Sequence, residues 1–412
     1  MHIPLYYSRN CDNYFIYAVG MERISVIVRV LVLTITAGEG HNHTAAVIKE
    51  GIESRGVECR LVDVYKLLSE TLYKAFSEGY LFATKYLKRL YGDFYYLAEN
   101  RGKDANQSSP MRKANSSFAK MLSKYVSTYD PDVIIYTHVF AGVLLDEIKV
   151  KYGLRATTMG IVTDFRLHPY WEENLHLDYV VCADKRLMYN AMQKGFKQSQ
   201  LLPFGIPIHP KFLKEIPKDE ARKELGLENK RTVLVMGGSM GFGDITENVQ
   251  ILDALDVDFQ IMVVCGSNKK LCDELSKMEF SKTVKVFGYV NNVELLMSAS
   301  DCIVTKPGGL TTSESLAKRI PLIIVNPIPG QEDRNVEFLL NNGAAIATSK
   351  HLKLDEAIWI CFSDEKRLES LREAISQIRH PDALDKICDF AIERVKENYE
   401  IKRNGNVSNE NA

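Results

Sequence analysis

Four short clusters in this 412-residue chain combine residue types that move protons, hold anions or bind hydroxyls. His41 follows a glycine loop, Gly38-Glu39-Gly40. An imidazole, with a reference pKa of roughly 6.5, is suited to accepting a proton near neutrality, although a lone loop histidine is as readily plain polar surface. Asp164 and His168, in Val162-Thr-Asp-Phe-Arg-Leu-His-Pro-Tyr-Trp171, are candidates to share or orient that role. Lys306-Pro-Gly-Gly-Leu-Thr-Thr-Ser-Glu314 ends a strand and opens a helix, so the Pro307-Gly308-Gly309 backbone faces an anion while Thr311, Thr312 and Ser313 supply caps. Glu314, placed in the first turn, is favourable for the helix dipole by itself and is also placed to accept hydrogen bonds from two ribose hydroxyls. Gln331, Glu332, Asp333 and Asn335 bunch amides and carboxylates that suit a sugar's hydroxyls or, equally, a solvated loop with a helix cap.

These clusters need strands to carry them. Arg29 to Ile35 is an apolar run leading into the first glycine loop, followed by helical spacing from Thr44 to Ser54. Arg231 to Met236 repeats the pattern, leading into Gly237-Gly-Ser-Met-Gly-Phe-Gly-Asp244 and a helix through Leu255. Further strands read at Cys59–Val64, Val133–Thr137, Ala156–Val162 and Tyr179–Cys182, then at Phe259–Cys265, Val284–Phe287, Cys302–Thr305 and Leu322–Val325. The expected class is α/β, two doubly wound Rossmann-like domains in tandem. The expected divisions are an uncertain extension over 1–20, a first domain over 21–203, a linker over 204–212 within the proline-rich Pro203 to Pro210 stretch, a second domain over 213–398 whose last helix is free to pack back on the first, and a polar, irregular tail over 399–412. Met21 is an alternative start.

Composition excludes several classes. A net charge of −1 argues against a dedicated nucleic-acid binder. Eight cysteines are scattered without a C-x-x-C pair and read as reduced core residues in a cytosolic protein. The apolar run from Ile24 to Ile35 is interrupted by Arg29 and falls short of the roughly 20 residues that span a bilayer. Neither glycine loop fits the dinucleotide fingerprint or the P-loop pattern. No H-E-x-x-H spacing calls for a metal, and no cofactor is expected.

Gly38-x-Gly40-His41, Gly237-Gly238, Phe287-Gly-Tyr-Val290 and Lys306-Pro-Gly-Gly-x-Thr-x-x-Glu314 with Gly330-Gln-Glu332, taken in order, resemble glycosyltransferase family 28 over roughly residues 25 to 345. The segment from Val162 to Trp171 is similar to the acceptor-side motif of that family's diacylglycerol glycosyltransferases, which include monogalactosyldiacylglycerol synthases and bacterial processive diacylglycerol glucosyltransferases. One departure is Glu39, where the family's first loop has its middle glycine. The resemblance implies an inverting GT-B enzyme whose two domains face across a cleft, with UDP-glucose or UDP-galactose in the C-terminal domain and a diacylglycerol-type acceptor in the N-terminal one. It implies that Phe287, Gly288, Tyr289 and Val290 hold uracil through backbone contacts, and that Gly238, Ser239 and Pro307, Gly308, Gly309 and Thr311 surround the diphosphate, with Lys306 beside them. Glu314 would bind ribose and Gln331 with Glu332 the sugar, Asn335 joining the donor side. His41 is the expected base with Asp164 or His168, and Gly38, Gly40 and Trp171 lie on the acceptor side.

A lipid acceptor requires contact with a membrane. Tyr65 to Tyr96 holds ten aromatics, and residues 65 to 128 carry eleven Lys or Arg against five Asp or Glu, a composition that favours an anionic interface but also fits a packed core with ordinary surface lysines. The polar run from Arg101 to Ser117 reads as a loop. The expected location is cytoplasmic, peripheral to the inner face of the cell membrane. Transfer of N-acetylglucosamine to a lipid-linked peptidoglycan precursor, UDP-sugar 2-epimerisation and non-catalytic UDP-sugar sensing stay open as alternatives.

Overall fold

The computed structural model describes residues 15–19, 22–26, 28–100, 110–238, 241 and 243–409. Two short strands, β1 (Phe15–Val19) and β2 (Glu22–Val26), pair antiparallel, so part of the uncertain extension over 1–20 forms a hairpin with the residues after it.

The N-terminal sheet contains β3 (Arg29–Thr34), β4 (Glu58–Asp63), β5 (Val133–Tyr136), β6 (Thr157–Ile161), β7 (Tyr179–Val181) and β8 (Leu201–Leu202). All six are parallel in the order β4-β3-β5-β6-β7-β8. Its helices are α1 (Glu39–Glu53), α2 (Val64–Leu68), α3 (Glu70–Tyr86), α4 (Lys88–Glu99), α5 (Pro110–Tyr129), α6 (Val139–Tyr152) and α7 (Met188–Gln193). Residues 110–117, expected in a loop, are the first turns of α5, while 101–109 lie outside the described residues.

The chain then enters α8 (Lys218–Glu224) and a second sheet of β9 (Thr232–Met236), β10 (Gln260–Val264), β11 (Val284–Phe287), β12 (Cys302–Thr305), β13 (Leu322–Ile324) and β14 (Ala345–Ala347). These are also parallel, ordered β11-β10-β9-β12-β13-β14. Between and after them run α9 (Ile245–Ala254), α10 (Lys269–Leu275), α11 (Val293–Ala299), α12 (Gly309–Ala317), α13 (Gln331–Asn341), α14 (Leu354–Phe362), α15 (Glu365–Ile378) and α16 (Ala383–Asn409). Helices cover both faces of each sheet, which is why central strands such as β5, β9, β10 and β12 are mostly apolar and buried throughout.

Each sheet has a switch point, between β3 and β5 in the first and between β9 and β12 in the second, where loops leave the carboxyl ends in opposite directions and open a crevice. His41 and Thr137 flank the first crevice; Gly238 and Lys306 flank the second. The helix α16 returns to the N-terminal domain and continues through residues expected to be an irregular tail. Its Leu384, Ile387, Cys388, Ala391 and Val395 join the core formed by Val30, Val32, Ile48 and Ile52, each large apolar side chain contributing about 1.5–3 kcal/mol. Gly51 makes the approach possible: a Cβ there would sit 2.8 Å from Cys388 Sγ. Phe165, from the loop after β6, crosses the other way, stacking on Phe338 of α13 at 4.8 Å within the second domain's core.

Candidate active site

His41 lies in the first turns of α1, which starts at the carboxyl end of β3 with Gly38 as N-cap at φ 79°. Glu39, the departure from the family loop, falls in that first turn, where a carboxylate complements the helix dipole. His41 Nδ1 is 2.7 Å from the Thr137 carbonyl oxygen, across the switch point. A carbonyl only accepts, so Nδ1 carries the hydrogen and Nε2 is left as the basic nitrogen of the neutral ring. Burial lowers the His41 pKa below 6.5, partly offset by the negative charge of Asp164 and by the Thr137 carbonyl. The ring is therefore neutral at pH 7, as a base must be.

Asp164 faces His41 from the loop after β6 and is gripped from the other domain. Gln331 Nε2 donates to its Oδ2 at 2.7 Å and Asn335 Nδ2 to its Oδ1 at 2.9 Å. His168 stands apart: its Nδ1 accepts the Tyr170 amide at 3.3 Å and its ring stacks on Tyr170, which makes it a cap and a wall of a neighbouring cavity. A histidine without motif support in the sequence, His138, is instead packed against His41, ring centroids 4.6 Å apart. Burial, with His41 and His168 nearby, holds its pKa well below 6.5. Its position just after β5, at the carboxyl end of the sheet, was the available signal.

Two cavities meet at this point. The first, about 410 Å³, lies between the domains and takes in Gly38, Gly40, His41 and Asp164 on one side and Gly238, Tyr289, Val290, Lys306, Gly308, Gly309, Thr311, Glu314, Gln331 and Glu332 on the other. The second, about 570 Å³, is aromatic and belongs almost wholly to the N-terminal domain, with Phe76, Tyr95, Phe140, His168, Tyr170 and Trp171 in its walls. His41, Asp164, Gln331, Tyr80 and Thr163 line both. Trp171 is mainly core, 3% exposed and stacked on Tyr136.

Several expected donor-side residues are placed differently. The α12 N-cap is Gly308 without a side-chain cap, so Thr311, Thr312 and Ser313 do not cap it and Glu314 lies in the second turn. Burial and the neighbouring Glu294 raise Glu314 to about 8, against a lowering from Lys211. Lys306 Nζ pairs with Glu332 Oε1 at 2.8 Å, and Glu332 Oε2 accepts the Ile328 amide at 2.8 Å. Asn335 is fully buried and away from the cavity, and the Pro307 carbonyl accepts from its amide at 2.8 Å. Phe287 and Gly288 lead β11 toward Tyr289 and lie beside the cavity lining. Ser239 lies outside the described residues.

Beyond the cavity-lining Tyr80 and Tyr95, the described part of the aromatic run from Tyr65 to Tyr96 divides in three. Tyr65 is buried in the core with Tyr73 and Phe76 packed on it. Tyr96 Oη donates to Asp333 Oδ2 at 2.5 Å, and Gly92 of the same helix lies where a Cβ would meet Pro329 Cβ at 2.7 Å, so α4 clamps the second domain. Phe82, Tyr86, Leu87, Leu90 and Leu97 face outward.

Comparison with known proteins gives the family. Residues 41–208 match the family model for monogalactosyldiacylglycerol (MGDG) synthase, and residues 232–387 match the glycosyltransferase family 28 C-terminal domain. The processive diacylglycerol beta-glucosyltransferase of Bacillus pumilus is 31% identical over 374 residues, covering 89% of this chain and 95% of that protein. That of Bacillus subtilis is 32% identical over 361 residues, 85% of this chain and 91% of the relative.

The chain belongs to glycosyltransferase family 28.

It is a hexosyltransferase of that family. The fold is seen in solved structures at lower identity: Acinetobacter baumannii MurG superposes with a TM-score of 0.62 at 16% identity, covering 89% of this chain and 99% of MurG. Anabaena HepE in complex with UDP-glucose gives 0.52 at 13% identity, covering 90% and 99%. Both likenesses concern the GT-B fold, two parallel-sheet domains across a cleft. Among the described residues no helix is long and apolar enough to cross a membrane.

Proposed function

We propose that this protein transfers a hexose, with inversion, from a UDP-sugar to a diacylglycerol-type lipid at a membrane surface, as a step of glycolipid biosynthesis. The observation that carries the reading is the junction of the two cavities at His41 and Asp164. The interdomain cavity, with Lys306, Glu314, Gln331, Glu332 and the glycine loops in its walls, suits a nucleotide sugar, and the aromatic one suits the glycerol and upper acyl region of a lipid. The names of the Bacillus relatives support the same acceptor class.

In this reading the acceptor hydroxyl enters from the second cavity and passes its proton to His41 Nε2. The oxygen attacks the anomeric carbon of the sugar, a new C–O bond forms, and the bond to the β-phosphate breaks with its electron pair leaving on UDP. Asp164 stabilises the imidazolium that results. The leaving diphosphate is met by the backbone N–H groups at the start of α12 and by Lys306, which exchanges Glu332 for phosphate oxygens. Gly238 completes that site, Tyr289 and Val290 face the uracil, Glu314 the ribose, and Gln331 the sugar.

Phe82, Tyr86, Leu87, Leu90 and Leu97, on α3 and α4, form the surface that rests on lipid, giving a peripheral rather than spanning attachment at the cytoplasmic face. The direct test supplies labelled UDP-glucose or UDP-galactose and diacylglycerol in anionic liposomes, then resolves the lipids. Label in a glycolipid supports the reading and names the sugar. Donor binding without labelled lipid from either sugar points to another acceptor, to epimerisation or to sensing.

A further inference from the structure

We propose that Asn335 is a positioning residue for the transfer step, holding Asp164 in register with His41 and tying the diphosphate loop to the acceptor-side loop, without touching the donor. The proposal rests on the transferase reading above. Its basis is a set of three hydrogen bonds made by one fully buried amide. Asn335 Oδ1 accepts the Phe165 backbone N–H at 2.8 Å; Nδ2 donates to Asp164 Oδ1 at 2.9 Å and to the Pro307 carbonyl at 2.8 Å. These partners fix the orientation of the amide, since the carboxylate and carbonyl accept only and the backbone N–H donates only. Both Nδ2 hydrogens are used, so none is left for a sugar hydroxyl.

The three partners lie in different parts of the machinery. Asp164 supplies the charge that opposes the burial-driven fall in the His41 pKa. Pro307 immediately precedes the α12 N-cap, where the diphosphate is expected. Phe165 is the N-terminal domain's anchor in the other domain. Residues 331, 335 and 338 of α13 fall on one helical stripe, and all three hold the Asp164–Phe165 dipeptide: Gln331 on one carboxylate oxygen, Asn335 on the other and on the backbone, Phe338 against the phenyl ring. Gln331 is reachable from both cavities, whereas Asn335 is sealed from them. The stripe therefore separates a residue that can exchange Asp164 for substrate from one that keeps Asp164 in place throughout the cycle.

A double-mutant cycle on the full-length protein tests this, using Asn335→Ala, Asp164→Asn and their combination, with kcat and donor KM measured by lipid transfer and folding checked by thermal midpoint. A residue acting through another should lose its effect when that other is removed. Asn335→Ala should lower kcat by on the order of tenfold and leave donor KM within about threefold; in the Asp164→Asn background it should cost less than about threefold more. Asn335→Ser, which keeps one donor, should recover part of kcat and serves as the readout if the alanine variant does not fold. An equal loss of kcat in both backgrounds overturns the proposal, as does a donor KM raised about tenfold or more, the mark of a donor ligand. A wild-type protein that makes no labelled lipid fails the transferase reading itself, a result separate from either of those.

Discussion

Gly309, the first residue of α12, lies directly on the Thr163 backbone: a Cβ at Gly309 would overlap the Thr163 carbonyl oxygen and stand 2.9 Å from its carbon. The two residues belong to different domains, and the contact lies beside Asp164 on one side and the expected diphosphate site on the other. The missing side chain sets how closely the cleft closes. This is a spatial requirement, independent of any backbone freedom that glycine provides.

Gly309→Ala should therefore leave each domain folded and separate the two loops. Misplacement by about 1 Å at reacting groups costs on the order of 10²-fold, so kcat should fall by about that factor with helix content by circular dichroism unchanged. Near wild-type kcat would mean that the productive cleft is wider than this one.

Much of this arrangement was legible beforehand because it depends on local pattern. Apolar runs ending in glycine loops identified the central strands, and His41, Asp164 and Lys306 follow from their places at carboxyl strand ends. β8 and β14 are hard to read because β8 is two residues before Pro203 and β14 is mostly alanine, a weak strand former. The partners of Asn335 are not legible in the sequence, because they lie at positions 164, 165 and 307, which no spacing within its own helix reports. The aromatic run reads both as an interface and as a core for a related reason: α3 and α4 send neighbouring residues to a core, to cavity walls, to a domain clamp and to solvent, and composition averages over them.

Measured for the acceptor at saturating UDP-sugar, where Glu314 is already ionised, the pH dependence of kcat/KM should have an acid limb below 6.5, because burial lowers the His41 pKa. Asp164 raises that pKa, so Asp164→Asn removes a raising influence and the limb should move to lower pH, while kcat falls by on the order of tenfold or more as the imidazolium loses its counter-charge. His41→Gln should abolish the limb and cost roughly 10²–10⁴ in rate. An acid limb that stays in place in Asp164→Asn would place the titrating group elsewhere.

Glu314 gives the donor site its own pH dependence. Raised to about 8, it is protonated in the free protein at neutral pH. Two ribose hydroxyls donating to it favour the carboxylate, so binding releases a proton. Affinity for UDP-glucose should then rise with pH, by up to about tenfold per unit, and level off above about pH 8. The sign follows from the raised pKa: below it, every binding event must first ionise the group. Titration calorimetry in buffers of different ionisation enthalpy measures the proton release directly. Glu314→Gln should bind more weakly at pH 8.5 and show a flat profile; an affinity that declines from pH 6.5 to 8 would mean that Glu314 serves as a neutral donor.

The outward side chains of α3 and α4 predict where lipid contact is made. Phe82 is 56% exposed, Tyr86 63% and Leu97 67%, well beyond what packing on the N-terminal core requires, and Arg89 is exposed among them. Each apolar side chain moved from water into the interface contributes on the order of 1 kcal/mol, and nearby cations add attraction to anionic headgroups. Phe82→Ser with Tyr86→Ser should lower partitioning to phosphatidylglycerol vesicles by roughly tenfold or more. UDP-glucose affinity in the absence of vesicles should be unchanged, because neither side chain lines the interdomain cavity. Tyr96→Phe makes the contrasting control: it removes the hydrogen bond to Asp333, and it should lower turnover on dispersed acceptor without changing vesicle binding. If sedimentation with vesicles were unaffected by the double serine variant but reduced by Tyr96→Phe, the membrane would be meeting the clamp rather than the outward face.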